Sequence, residues 1–373
     1  MIYWLFENYF ANAGLGLRIG GAGALSFVLV ILLGPRLIRF LIRKKIGDRP
    51  EFDHADLNEI TRHKSATPTM GGSLIVIAIF VSLLLFGNLR NMYINSGLLA
   101  LVWLGVLGGV DDWLKLRRNL TGGGRDGLKS WEKFVFQVGL AVLLSVYVYR
   151  YGSASYLGPG FNPAHRFFFP VTNASVHLPI LAYTLIMILV TTGSSNAVNL
   201  TDGMDGLAAG NLILVTAFFL IVSWIVGVVR WAALFNLQFV PFSAEMTVLC
   251  SAMLGALLGF LWYNAPPAAV FMGDTGSLPL GGLIGYIAVV TRQELLLLLV
   301  GGVFVMEVLS VVLQVGYFKL TKGDGMEGRR LFRCAPIHHH FHLGGWPETK
   351  VVIRFWILGV ILAVLALGTL KLR

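Results

Sequence analysis

Asn196-Ala-Val-Asn199-Leu-Thr-Asp202-Gly-Met-Asp205-Gly-Leu207 stands between two apolar runs, residues 178–190 and 207–229. Both runs are dense enough in apolar residues to be membrane spans. The stretch between them holds two carboxylates and two carboxamides with no basic partner. An Asp at the centre of a membrane helix costs about 2.5–3.5 kcal/mol. Such residues are therefore confined to an interface, a cavity or a paired site. The stretch reads as a polar reaction centre at one membrane face.

Composition supports that reading. Of 373 residues, 56% are hydrophobic and 13% charged, and the mean hydropathy is +0.75. A soluble globular chain carries about 25% charged residues. A membrane β-barrel would show alternating strands of about ten residues, whereas the apolar runs here are long and continuous. The class is an all-α, polytopic membrane protein. Two cysteines, Cys250 in an expected span and Cys334 in a basic loop, suggest no disulfide framework. The first apolar run lacks a basic leader and a cleavage site, so no cleaved signal peptide is expected. A net charge of +10 fits cytoplasmic loops beside anionic lipid better than nucleic acid, and it favours an anionic substrate.

At about 20 apolar residues per span, the chain divides into about ten helices. They are expected near 19–41, 70–87, 96–115, 131–150, 178–195, 206–229, 244–262, 276–292, 294–320 and 350–370. Residues 1–17, aromatic and nearly uncharged, are expected in the interface. Residues 151–177, rich in Gly, Pro and aromatics, suggest a short hairpin or a lid on the outer face. No repeat and no soluble domain interrupts the chain, so residues 1–373 are read as one membrane domain.

Lysine and arginine placement sets the orientation. Arg43, Lys44, Lys45, Arg49, Arg62 and Lys64 follow the first span. Arg117, Arg118, Arg125 and Lys129 follow the third, and Lys322, Arg329, Arg330, Arg333 and Lys350 follow the ninth. The opposite loops hold little more than Arg90, Arg166 and Arg230. The basic loops are read as cytoplasmic. With ten spans, both termini are then periplasmic, and every polar cluster falls on the cytoplasmic face.

Four more constellations flank the opening stretch. Lys64-Ser-Ala-Thr67-Pro68-Thr69-Met70-Gly71-Gly72 enters the second helix. Either its Pro and Thr residues simply start and cap that helix, or free N–H groups there face a phosphate together with Lys64. Asp111-Asp112-Trp113, with Lys115 one turn on, sits where negative charge opposes the helix dipole. Adjacent helical residues point about 100° apart, so the two acids suit different tasks: one for a metal, the other for orienting Lys115 or taking a proton. A solvated charged helix end is the bland alternative.

Asn199, Asp202 and Asp205 have i, i+3 spacing and would share one face if helical. An EF-hand is a poor match, because no late acid follows. Asn264-Ala-Pro266-Pro267 and Phe271-Met-Gly273-Asp274 form a turn, since a double proline breaks helices. Asp274 is either the N-cap of the next helix or a hard oxygen ligand for Mg²⁺, with Phe271 offering a stacking face for a base. Pro336-Ile337-His338-His339-His340-Phe341-His342 raises zinc as an alternative. Three consecutive histidines converge poorly on one ion. Beside Arg330 and Arg333 they fit better as donors to phosphate or sugar. Carboxylates, a divalent ion and cationic clamps at one membrane face are the parts of phosphoryl transfer, and the location suggests one water-soluble and one lipid substrate.

These motifs resemble the polyprenyl-phosphate N-acetylhexosamine-1-phosphate transferases over essentially all ten helices. The acidic motifs are shared across that superfamily. The Pro68-Thr-Met-Gly-Gly72 and Pro336-Ile-His-His-His-Phe341 segments are more specific to its muramoyl-pentapeptide branch. The resemblance implies Mg²⁺-dependent transfer from UDP-N-acetylmuramoyl-pentapeptide to undecaprenyl phosphate in the bacterial cytoplasmic (inner) membrane, by a homodimer. It implies catalytic roles for Asp111, Asp112, Asp274, His338 and His339, with Asp274 as the metal ligand and Asp111 activating the lipid phosphate. Lys64, Thr69, Lys115, Asn199, Asp202, Asp205, Asn264, Phe271, Gln314 and His340 are implied in substrate binding, with Phe271 stacking on uracil. The chain departs from the family pattern in longer segments at 322–328 and 122–126, and in His342 where Glu is common. The rivals are a UDP-N-acetylglucosamine transferase of the same superfamily, which should lack the triple-His segment, and a cation transporter. A transporter would place its acids near mid-span in matching halves, which this chain does not do.

Overall fold

The computed structural model describes residues 14–44, 67–121, 125–152, 165–169, 174–322 and 328–370. Lys64 and most of residues 1–17 lie outside them. The described residues are mainly helical: α1 (Gly14–Arg43), α2 (Gly72–Phe86), α3 (Met92–Thr121), α4 (Ser130–Tyr151), α5 (Ile180–Thr201), α6 (Leu207–Gly227), the short α7 (Val229–Leu234), α8 (Met246–Asn264), α9 (Asp274–Val290), α10 (Glu294–Val300), α11 (Gly302–Thr321), α12 (Ile337–Leu343) and α13 (Glu348–Leu370). Between α4 and α5, β1 (Arg166–Phe168) and β2 (Ser175–His177) pair antiparallel, Arg166 opposite His177. The hairpin expected in 151–177 is present.

Eight of the helices are long and apolar enough to cross a bilayer; α2 and α9 are apolar but shorter. Every residue of α9 is buried. It is the axis of the molecule, packed against α5, α3, α2 and α6, while α8 joins α1 and α6 around it. A helix surrounded by other helices need not match the lipid thickness, which explains how 17 residues suffice. The outer helices instead turn large apolar side chains outward, among them Leu32, Val106, Leu181, Leu189, Leu320 and Val364. That surface is suited to lipid, not water.

Several boundaries differ from the sequence reading: α3 runs Met92–Thr121 where 96–115 was expected, and α5 continues to Thr201 where the expected span stopped at 195. Gly14–Leu17, expected in the interface, already belong to α1. The expected span 294–320 is two helices, α10 and α11, broken at Gly301. Hydropathy cannot see such a break, because both pieces are apolar. A second, smaller apolar cluster of Met204, Leu207, Val303, Val351, Val352 and Phe355 forms where the α6 and α11 starts meet α13.

Candidate active site

The segment before α2 lies beside the segment before α9 like a strand. Phe271 N–H donates to the Pro68 carbonyl, Gly71 N–H to Phe271 and Gly72 N–H to Met272, each at 2.8 Å. Ser73 and Leu74 N–H turn back to the carbonyls of Met70 and Gly71. The first three N–H groups of α2 are therefore spent within the protein. The expectation that they are free to face a phosphate is overturned, and no Thr side chain caps the helix either. The pairing brings Thr69 to the reaction centre: a Cβ on Gly273 would lie 2.9 Å from Thr69 Oγ1 and 2.7 Å from Asp112 Oδ2. Phe271 itself is half-buried at this junction.

Asp274 is the first residue of α9, with Gly273 in the cap position. The cap comes instead from another helix. Asp112 of α3 accepts from Asp274 N–H at 3.2 Å through Oδ1, and from Thr275 N–H (2.9 Å) and Thr275 Oγ1 (2.6 Å) through Oδ2. A carboxylate at a helix N-terminus satisfies orphan donors and complements the dipole. Asp112 thus locks Asp274 in place.

Its neighbour Asp111 is fully buried, 0% exposed. Oδ1 accepts from Leu128 N–H at 2.7 Å, and Oδ2 lies 2.9 Å from both Lys115 Nζ and Lys133 Nζ. Lys133 continues to Asp274 Oδ2 at 2.6 Å, and Lys115 stands 3.7 Å from Asp274 Oδ1. Two ammonium groups thus bridge two buried carboxylates. Lys133 was not singled out from sequence. Its signal was a cation within the first turn of the 131–150 span, directly beside Glu132.

Oxygen atoms of Asp111, Asp112 and Asp274 all lie within 4.8 Å of one another. Three hard oxygen donors so close together fit a hard divalent cation such as Mg²⁺.

Asn199, on the last turn of α5, donates from Nδ2 to Asp274 Oδ1 (2.8 Å) and Ser277 Oγ (2.9 Å). Asp202 caps the C-terminus of α5. Burial, and then the charge of Asp274, push its carboxyl up to about 7; a hydrogen bond from the Gly273 backbone opposes them. Asp205 lies past the helix. The three therefore do not share one helical face, because α5 ends at Thr201 and Gly206 takes a left-handed φ of 76°. Asp205 instead secures the proline turn, accepting from Ala268 N–H at 3.0 Å. Asn264 bridges the same turns, accepting from Gly206 N–H (3.1 Å) and donating to Val270 (2.9 Å).

The histidine segment is the short helix α12. His338 is buried against α11, its Nδ1 3.0 Å from Glu307 Oε2. His339 packs on His338 with ring centroids 4.1 Å apart. His340 Nδ1 accepts from Arg333 N–H at 3.1 Å. Gln314 Oε1 accepts from Leu331 (3.0 Å) and Phe332 (2.8 Å) N–H, so it fixes the loop leading into α12. The structure thus gathers Thr69, Asp111, Asp112, Lys115, Asn199, Asp202 and Asp274 around one centre. Asp205, Asn264, Gln314 and His340 hold its surrounding loops.

Residues 94–292 match the family model described as glycosyl transferase family 4. The chain is 44% identical to the phospho-N-acetylmuramoyl-pentapeptide-transferase of Desulforapulum autotrophicum, over 94% of this chain and 92% of that one. It is 43% identical to the protein of the same name from Desulfotalea psychrophila, over 96% and 94%. A third of that name, from Oleidesulfovibrio alaskensis, is 42% identical over 93% and 91%.

Proposed function

From the premise that this chain belongs to glycosyl transferase family 4, among its phospho-N-acetylmuramoyl-pentapeptide transferases, we infer the reaction and the parts that its residues take. The protein moves phospho-N-acetylmuramoyl-pentapeptide from its UDP carrier to undecaprenyl phosphate, forming lipid I and UMP in peptidoglycan synthesis. The observation that carries the assignment of roles is the cluster of Asp111, Asp112 and Asp274 bridged by Lys115 and Lys133.

Lys115 and Lys133 attract the phosphates of both substrates, and each can exchange a carboxylate partner for a phosphate oxygen. Asp111, relieved of part of that pairing, takes the proton of the lipid phosphate, whose oxygen attacks the β-phosphorus as UMP departs. Asp112 holds the Asp274 backbone through the α9 cap, and Asn199 orients the Asp274 carboxylate through Oδ1. Mg²⁺, held by Asp274 with the neighbouring acids, would supply charge neutralisation for the diphosphate. Asp202, Asp205, Asn264 and Gln314 shape the nucleotide side of the cleft, with Phe271 stacking on uracil. His338, His339 and His340 serve phosphate and sugar.

Ten spans with both termini periplasmic put this cleft on the cytoplasmic side of the bacterial inner membrane, where the UDP substrate is found. A homodimer is the expected assembly. The test is UMP release by detergent-purified protein given undecaprenyl phosphate and Mg²⁺. UDP-N-acetylmuramoyl-pentapeptide and UDP-N-acetylglucosamine are offered separately, with and without chelator. We expect UMP from the muramoyl substrate alone and none after chelation. UMP from the glucosamine substrate would move the protein to the sister branch.

A further inference from the structure

Glu307 is the one acid of α11, and it is 0% exposed. It sits five residues into an apolar helix whose first turn supplies Val303 to the small cluster with Met204 and Phe355. A carboxylate in such surroundings is costly unless a partner and a task retain it. Its Oε2 has that partner in His338 Nδ1, 3.0 Å away. Its Oε1 is buried with no hydrogen-bond partner.

His338 is likewise 0% exposed, and its Nε2 has no protein partner. A carboxylate accepts, so the hydrogen of the pair sits on Nδ1 and the other ring nitrogen is left to act. That nitrogen lies directly beneath Gly203: a Cβ there would come within 2.5 Å of Nε2 and 3.5 Å of His339 Nε2. Gly203 is exposed and immediately follows Asp202, so one face of this turn meets the cleft and the other rests on the imidazole. An ordinary core histidine has both nitrogens satisfied. Here the outer nitrogen is kept unpaired while the inner one is gripped.

We propose that Glu307 is a positioning residue for the transfer reaction, acting through His338: it fixes the imidazole so that Nε2 is set under the Asp202–Gly203 turn. The proposal rests on the transferase reading above. The logic is that of any carboxylate–imidazole pair. The acid sets the tautomer and the ring orientation, and the ring in turn supports the turn that carries Asp202 to the reaction centre. Gly203 is required because any side chain there would displace the ring.

The test is a kinetic cycle on UMP release by the full-length protein in detergent, with Glu307→Gln, His338→Asn and the double variant. Melting temperature serves as the check on folding. If Glu307 works through His338, Glu307→Gln lowers kcat about 10- to 100-fold. The double variant is then no worse than His338→Asn within about two-fold, because the acid has nothing left to orient. Glu307→Asp, which keeps the carboxylate, recovers part of the loss, and it replaces Glu307→Gln in the cycle should the amide variant not fold. Losses that multiply in the double variant, or a fully active Glu307→Gln protein, overturn the proposal and leave the transferase reading standing. Wild-type protein that releases no UMP overturns both.

Discussion

At the scale of single residues, Lys133 teaches most. Its ammonium lies 2.9 Å from Asp111 and 2.6 Å from Asp274, and it is the shorter of the two bridges to Asp274. Lys133→Met keeps an apolar stem of similar length but removes the charge. Loss of one preorganised donor at a reacting phosphate costs about 10²–10³ in rate. We therefore expect kcat for UMP release to fall by about that factor, with Lys115 still holding Asp111. Activity within threefold of wild type would remove Lys133 from the machinery. Asp111 and Asp112 were legible in sequence because negative charge at that helix end opposes the dipole, which tells against the bland reading of a solvated helix end. A lysine beside Glu132 at the cytoplasmic start of a span is ordinary, because basic residues gather there.

Asp202 supplies a pH-dependent counterpart. Burial and the nearby Asp274 hold its carboxyl at about 7 in the folded protein, against about 3.9 for an ordinary Asp. The folded state therefore keeps a proton that the unfolded chain releases. The stability this contributes is full below about pH 4 and is lost as pH rises through about 7. In metal-free protein, Asp202→Asn should flatten the fall in melting temperature between pH 5 and pH 8, and the variant should gain most over wild type at pH 8. Parallel curves for the two proteins would show that Asp202 is not the group being titrated.

At the scale of elements, the reaction centre depends on how closely α3 approaches α9. A Cβ on Gly108 would lie 2.0 Å from the Asp274 carbonyl oxygen. Backbone cannot swing aside as a flexible side chain can, so Gly108→Ala must push the helices apart. That move separates Asp112 from the N–H groups it caps. Overpacking of this kind costs about 1–3 kcal/mol. We expect a lower melting temperature together with a loss of turnover that added Mg²⁺ does not restore. Gly139→Ala on α4, where nothing lies within 4 Å, should leave both unchanged. If the two variants behave alike, close approach at Gly108 is not what assembles the site.

The elements themselves were read well wherever apolar length alone defines them. They were misread where one segment's ends are satisfied by another. The N–H groups of α2 are consumed by residues 271 and 272, and the cap of α9 is lent by Asp112, more than 160 positions away in the chain. Local spacing carries no trace of such pairings. The i, i+3 rule failed at Asp205 for a related reason. Gly203 and Gly206 end the helix at the point where the pattern would have continued it, and Asp205 is drawn off to the Pro266–Pro267 turn.

At the scale of the whole molecule, orientation joins the chemistry to the cell. The polar centre, the proline turn and the histidine helix are held together by contacts among α3, α4, α5, α9, α11 and α12. They can therefore face one compartment only. Charge bias gives the expectation that this side is cytoplasmic: Arg125 and Arg329 lie in connections of this end, whereas those with Arg90 and Arg230 are poor in lysine and arginine. The consequence is open to labelling, because Arg90, Arg125 and Arg230 are all exposed. Cys250 is fully buried, whereas Cys334 is only partly buried, so Cys334 is replaced by Ser to give a silent background. In that background, Arg90→Cys and Arg230→Cys should react with a membrane-impermeant maleimide on intact spheroplasts. Arg125→Cys should react only after the membrane is opened. The reverse pattern would place the carboxylates outside, away from the nucleotide-sugar pool, and a cytoplasmic UDP substrate could not reach them. Labelling of Arg90→Cys but not Arg230→Cys would mean that one of the helices between them fails to cross, and the short α9 cannot be that helix because it lies after Arg230. The test thus separates an error in orientation from an error in span count, which activity measurements in detergent cannot do.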